Sequence, residues 1–493
     1  MIKVVCIGHD YTNDLYELLK LFFPSQEIII LLETEEISYN NDHDQHLLFS
    51  IIEHLENKVK AKAIIGDKNN EIAFCDEDII INYNQSQIKK ASKLIVKRTV
   101  FTALSKLIKI DLPWGILTGI RPTKIVHELM EKALEDYEIL NILKDKYYIN
   151  EDKAKLLLSV AKKEHPIIYP IRQNLVSLYI SIPFCPTTCV YCSFPSNPLT
   201  KWQHLQKPYI DGLCKEIKEI AILLEKKGKN LQTIYIGGGT PSAVTIEDIN
   251  QLFKQIKDSF QLAKLQEFTF EAGRPDTITR EKLKLLKSNG VTRISINPQT
   301  MNESTLIKIG RKHTVEELKK AFYMAKEEGF NNINMDIIIG LPGEDAKMVE
   351  KTMEEIKKLQ PSSLTVHTLA IKRGSKLRED TSSYTLLQKE TSNMLRITGK
   401  YAEDMGMTPY YLYRQKHMLG NLENIGYCKE GYECIYNVQI MEEKQTIIAL
   451  GAGAVSKITF PKENRLERVP NVKDLQQYIA RVDEMIERKK PYI

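Results

Sequence analysis

Three cysteines fall within eight residues of one another, in Pro183-Phe184-Cys185-Pro186-Thr187-Thr188-Cys189-Val190-Tyr191-Cys192. The spacing is C-x3-C-x2-C. Three thiolates on one short loop can hold three irons of a 4Fe-4S cube and leave the fourth iron without a protein ligand. An open iron can chelate the amino and carboxylate groups of S-adenosylmethionine, and an electron passed from the cube then frees a 5′-deoxyadenosyl radical. Four cysteines would suit a pure electron carrier. A zinc site usually takes four ligands in two spaced pairs, and no second pair lies nearby. Of the other cysteines, Cys6, Cys75 and Cys214 stand alone, and Cys428 and Cys434 read as free buried thiols.

These groups need strands and helices to aim them. From about Leu175, short apolar runs alternate with amphipathic ones. The spacing predicts strands at Leu178 to Ile182, Thr233 to Ile236, Phe268 to Glu271, Arg293 to Ile296, Asn334 to Ile339 and Ser363 to Leu369. Helices are predicted between them, at Tyr209 to Lys226, Ile246 to Phe260, Arg280 to Ser288, Val315 to Glu328 and Met348 to Lys358. Six βα units predict an α/β fold, a partial (β/α)6 barrel with its chemistry at the carboxyl ends of the strands. Residues 171–384 are read as this barrel, 385–493 as a mixed α/β region capping the substrate, and 1–170 as a separate α+β accessory domain. In that first part strands are expected at 1–8, Gln26 to Glu33, Lys60 to Gly66 and Glu71 to Cys75. Helices are expected at Tyr11 to Phe23, Ser86 to Ile110 and Thr123 to Tyr148, and an extended proline-rich boundary near His165 to Pro170.

Further motifs sit where such a barrel places function. Gly237-Gly238-Gly239-Thr240 follows the second strand, and glycines let backbone approach a ligand closely. Glu271 ends the third strand, where a carboxylate can accept bonds from an ammonium or from ribose hydroxyls. Tyr179 and Tyr191 flank the cysteine loop and can stack on a base or shield a cluster from water. Tyr413, Arg414, Gln415, Lys416 and Asn424 lie in a stretch dense in aromatics, cations and amides, suited to an apolar macrocycle with carboxylates at its rim. Lys372, Arg373, Lys457 and Arg121 are further cations, read as solvated charges.

With its lead-in Tyr179-Ile180-Ser181-Ile182-Pro183-Phe184, the cysteine loop resembles that of the radical S-adenosylmethionine superfamily. It is most similar to the oxygen-independent coproporphyrinogen III oxidase branch, which includes haem chaperones and anaerobic haem-degrading methyltransferases. With its long N-terminal part, the chain resembles the HemZ-type coproporphyrinogen dehydrogenases. The resemblance covers roughly residues 175–460. It implies a 4Fe-4S cluster on Cys185, Cys189 and Cys192, with S-adenosylmethionine contacts from Tyr179, Tyr191, Gly238, Gly239, Thr240 and Glu271. It also implies that Gln299, Arg311 and Asp336 match residues lining a second S-adenosylmethionine site, giving one or two molecules per chain. The expected reaction is oxidative decarboxylation of coproporphyrinogen III propionates to vinyls. The tetrapyrrole is then substrate or cargo, with an electron donor such as flavodoxin or ferredoxin. The chain departs from the oxidase pattern at Ser181, where a histidine is usual, at Ser193, and around Ile425, which lacks a Phe-Gln pair.

Bulk properties agree. The chain has 493 residues, 43% hydrophobic and 27% charged, an ordinary globular composition of two or three domains. Its net charge of +5 is small for this length and does not point to nucleic acid. No apolar run is long enough to span a bilayer, and no leader is visible, so a cytoplasmic location is expected.

Overall fold

The computed structural model describes residues 1–24, 26–33, 46–56, 58–66, 72–80, 85–119, 121–193, 196–370, 384–415, 418–463 and 465–493. The chain forms two compact units. One comprises Met1–Pro122 with Glu128–Leu158, the other Thr123–His127 with Ser159–Ile493.

The first unit holds a five-stranded sheet made of β1 (Ile2–Ile7), β2 (Ile28–Leu32), β3 (His46–Leu55), β4 (Lys58–Gly66) and β5 (Ile72–Ile80), in the order β2-β1-β3-β4-β5. β1 runs parallel to β2 and β3, and β3 to β5 form an antiparallel meander. Helices Thr12–Phe22 and Gln85–Leu107 cover the sheet, burying Leu15, Leu18, Ile95 and Val100 against Val4, Leu48 and Ile65. β3 was not foreseen. The expected helix from Thr123 to Tyr148 is two helices, Thr123–Met130 and Asp136–Tyr147. They part at Ala133, whose φ is 55°, and the second starts from a capping box between Glu135 and Glu138. The stretch His165 to Ile168 is helical rather than extended. It is the last turn of Glu151–Ile168, with Pro166 inside it.

In the second unit, β6 (Leu175–Ile182) leads into the short strand β7 (Phe184–Cys185), which pairs with β8 (Asn197–Pro198). β9 (Asn230–Gly238), β10 (Glu267–Gly273), β11 (Arg293–Ile296), β12 (Asn332–Ile339) and β13 (Ser363–Thr368) then follow β6 as parallel neighbours in chain order. The connecting helices Gln206–Lys226, Ile246–Ser259, Arg280–Ser288, Val315–Glu327 and Ala346–Leu359 match the expected ones to within two or three residues. Their apolar stripes face the sheet. Ile249, Leu252, Phe253 and Ile256 of the second, for example, are all buried.

The last hundred residues extend this sheet at both edges. β14 (Thr408–Tyr413) and β15 (Asn424–Cys428) add antiparallel strands beyond β13. β16 (Ile447–Leu450) pairs parallel with β6, and β17 (Val455–Phe460) and β18 (Arg465–Pro470) continue outward, giving eleven strands. Helix Ile435–Glu442 crosses the mouth of the barrel, where Tyr436 stacks on Tyr235 with centroids 4.4 Å apart. Among the described residues no helix is long and apolar enough to cross a membrane.

Candidate active site

The cysteine loop is fixed from three sides. The Val190 amide donates to the Ile309 carbonyl at 3.2 Å, and the Thr187 hydroxyl donates to the Gly310 carbonyl at 3.4 Å. Arg274, buried and paired with Asp276 at 2.8 Å, donates to the Thr187 hydroxyl at 2.6 Å. Gly239 packs directly behind the loop, where a Cβ would lie 2.8 Å from Cys185 Sγ and 2.5 Å from the Phe184 carbonyl oxygen. Gly238 is at φ 121°, a conformation that only glycine adopts readily. The third-strand carboxylate depends on the same run, because a Cβ at Gly237 would meet Glu271 Oε2 at 2.9 Å. The backbone geometry therefore explains each of the three glycines.

Cys185, Cys189 and Cys192 open onto one cavity of about 490 Å³. Tyr179, Tyr191, Gly238, Gly239, Thr240, Glu271, Gln299, Arg311 and Asp336 line it too, as do Tyr413, Gln415 and Asn424. Arg414 does not. Its side chain is buried and donates to Asn421 at 3.1 Å, and burial lowers its pKa to about 10. Lys416, with Lys372 and Arg373, lies outside the described residues. Lys457 is held by the Ile440 carbonyl and Glu443, both at 2.9 Å, away from the cavity. Ser181 shares a face of β6 with Tyr179, its hydroxyl donates to the Ala452 carbonyl at 3.2 Å, and a Cβ on Gly238 would lie 3.1 Å from that hydroxyl.

The electrostatics divide the wall. Tyr235 donates to Glu271 Oε1 at 2.5 Å. Burial raises the Glu271 pKa to about 7 against that bond, with the nearby Asp336 adding to the rise. Asp336 goes the other way. Burial alone would raise it, but His367, then Asn334 and Arg293, outweigh burial and hold it below the usual carboxylate range. Asn334 donates to its Oδ1 at 2.7 Å, and His367 Nε2 lies 3.9 Å from its Oδ2. Two carboxyls of one cavity are thus pushed apart, one toward neutrality and one toward ionisation. Arg311 is buried, bonded to the Asn297 carbonyl at 2.6 Å, and raised by Tyr191 and Cys189 against the effect of burial. Gln299 has φ 65°, unusual for a residue with a side chain, and its Oε1 has no partner among the described residues. Its backbone is pinned to β12 by bonds to the Asp336 carbonyl and the Ile338 amide, both at 2.9 Å.

Sequence reading missed several cavity residues: Tyr235, Arg293, Asn297, Asn334, His367 and Tyr436. Strand alternation carries the signal for most of them. Asn334, Asp336 and Ile338 share a face, as do Thr365 and His367, and Tyr411, Tyr413 and Gln415.

The donors suit an iron–sulfur cluster with one open iron. Three thiols share a loop with no fourth cysteine lining the cavity, and the polar atoms facing them include an unpaired amide oxygen. Burial pushes the Cys185 thiol up to about 11, so binding a metal there must displace a proton.

The Radical SAM superfamily model matches residues 179–356. An oxygen-independent coproporphyrinogen-III oxidase-like protein, HemZ, from Bacillus subtilis is 37% identical over 96% of both chains. The haem chaperone HemW of the same species is 31% identical, over 64% of this chain and 77% of its own. The coproporphyrinogen III oxidase HemN of Escherichia coli shares the fold at a TM-score of 0.53 and 24% identity, over 66% of this chain and 73% of its own. The C-x3-C-x2-C loop at the mouth of a six-unit parallel barrel and full-length similarity to HemZ coincide: the chain belongs to the radical SAM superfamily, in the family of HemZ-like oxygen-independent coproporphyrinogen-III oxidase-like proteins.

Proposed function

We propose that this radical SAM oxidoreductase decarboxylates the propionate side chains of coproporphyrinogen III to vinyls. Each turnover removes a hydrogen atom from the propionate β-carbon, then CO2 and one electron. When bound, the cluster and S-adenosylmethionine supply the electron and the 5′-deoxyadenosyl radical that abstracts the hydrogen. Cys185, Cys189 and Cys192 hold the cluster, and the Gly238–Gly239 backbone approaches the methionine end of the cofactor. Glu271 accepts from its ammonium or ribose hydroxyls. Gln299, Arg311 and Asp336, which line the same cavity, would contact one or two S-adenosylmethionine molecules there.

The observation that supports this reading is a single cavity shared by the three thiols, a cationic and amide wall, and the tyrosines Tyr179, Tyr235, Tyr411, Tyr413 and Tyr436. Aromatic faces suit a tetrapyrrole, and cations suit its carboxylates. The haem chaperone relatives favour a second reading, in which the tetrapyrrole is cargo. A third, anaerobic methyl transfer to haem, predicts haem consumption.

The test is anaerobic turnover of the reconstituted chain with a chemical reductant, S-adenosylmethionine and coproporphyrinogen III. Expected are 5′-deoxyadenosine and products lighter by CO2 and two hydrogens per propionate. Abundant 5′-deoxyadenosine with unaltered tetrapyrrole overturns the proposal. Stoichiometric haem transfer without turnover assigns the chain to delivery instead.

A further inference from the structure

Apart from the cysteine cavity, the second unit buries a second group of metal-competent side chains. His127, Glu164 and Glu442 come from helices Thr123–Met130, Glu151–Ile168 and Ile435–Glu442, and each is at least 98% buried. One donor atom from each lies within 4.8 Å of the other two. His127 Nε2 is 2.9 Å from Glu164 Oε2 and 3.9 Å from Glu442 Oε2. Thr123 Oγ1 donates to Glu442 Oε1 at 2.6 Å, steering that carboxylate. Glu164 Oε1 is buried with no partner among the described residues.

Two carboxylates this close in a dry interior are costly unless a cation or protons neutralise them. A neutral imidazole binds metals but brings no charge to offset two acids. One proton on a neutral ring can satisfy one Glu164 oxygen and leaves the other unanswered. A bound ion would engage both.

We propose that His127, Glu164 and Glu442 bind one divalent first-row transition-metal ion. An imidazole with two carboxylates suits zinc, manganese or ferrous iron better than magnesium or calcium, and the absence of a thiol in the set disfavours copper(I). Glu442 ends the helix that presents Tyr436, Asn437, Ile440 and Met441 to the cavity. The ion thus ties this capping helix to helix Glu151–Ile168, away from the iron–sulfur cluster.

The test uses the full chain with its cluster assembled anaerobically, so that the three cysteines cannot take up the probe. After chelation and desalting, Zn²⁺ is titrated and bound metal is counted per chain by mass spectrometry, with Mn²⁺ and Fe²⁺ in parallel. Expected is one additional ion per chain and a raised Tm. His127→Gln and Glu164→Gln should each weaken binding by about 10-fold or more, since even residues beyond the ligands cost metal sites 10–100-fold. No uptake of any of the three ions by the wild-type chain overturns the proposal, whatever the variants do. So does wild-type uptake that both variants retain, and the cluster of side chains is then a proton-sharing triad.

Discussion

The hydroxyl of Tyr235 reaches Glu271 Oε1 at 2.5 Å, across neighbouring strands of the barrel. That bond and one from the Gly238 backbone hold a carboxyl that burial has raised to about 7. The pH dependence follows. A carboxyl with a raised pKa favours the fold while protonated, so its contribution is full below the ordinary value of 4.5 and is lost as pH rises through about 7. The cofactor-free chain should therefore lose stability on the order of 1–3 kcal/mol between pH 5 and pH 8 through this group. Glu271→Gln should flatten that loss while abolishing S-adenosylmethionine cleavage. Urea midpoints across this range check it, and parallel profiles for variant and wild type would show that Glu271 is not the titrating group.

Gly239→Ala should cost the cluster. The added methyl meets Cys185 Sγ and the Phe184 carbonyl, and overpacking of this kind typically costs about 1–3 kcal/mol. Because the strain falls on the loop, iron content and the visible charge-transfer absorbance should drop more steeply than Tm. Gly66→Ala, with open space around its Cβ, is the control and should leave both unchanged. Equal iron content in the two variants refutes this account.

Gln299 separates binding from folding. Its left-handed backbone costs on the order of 1 kcal/mol, which glycine would relieve. Gln299→Gly should thus match or exceed the wild-type Tm while losing the unpaired amide oxygen facing the cavity. Expected is a weaker S-adenosylmethionine affinity, read by equilibrium dialysis, in a chain that unfolds no earlier. A lower Tm with unchanged affinity would make Gln299 a structural residue.

Arg414 and Asn424 should part company. Arg414 is buried and bonded to Asn421, and Arg414→Met should lower stability by roughly 1–3 kcal/mol without changing the tetrapyrrole KM. Asn424 lines the cavity while its Oδ1 accepts from the Thr368 amide at 2.8 Å, so Asn424→Ala should affect both stability and KM. Steady-state kinetics with thermal melts decide it. A KM rise in the Arg414 variant would place that guanidinium at the substrate.

The barrel was legible because parallel strands buried on both faces read as short apolar runs between amphipathic helices. Glu271, a polar residue at a strand end, stood out against that background, whereas Gln299 and Asp336 were marked only by the family resemblance. Arg293 and His367 did not, because an inward polar residue is recognised only once the neighbouring strands fix its face. β3 escaped notice since His46 to Leu55 has apolar residues at helical as well as alternating spacing. The break near Ala133 carries neither glycine nor proline, and the left-handed turn there is set by the capping box that follows. Strand order was the least legible feature, since β15 reaches one edge by pairing Cys428 with Ser363 and β16 reaches the other by pairing Ile447 with Ser177, contacts that no local pattern encodes.

That strand order has a bearing on biosynthesis. β6 and β13, the two flanks of the parallel core, receive their partners only from residues 408–470, the final fifth of the chain. Until the ribosome has delivered them, both flanks expose unpaired amides and carbonyls beside apolar side chains, the template on which aggregates grow. The cysteine loop and the glycine run exist long before this, yet Tyr411, Tyr413 and Tyr436 arrive last. A nascent or truncated chain thus carries the three thiols without the tyrosines that complete their cavity wall. Chains cut short near residue 400 should therefore accumulate as insoluble, iron-free protein.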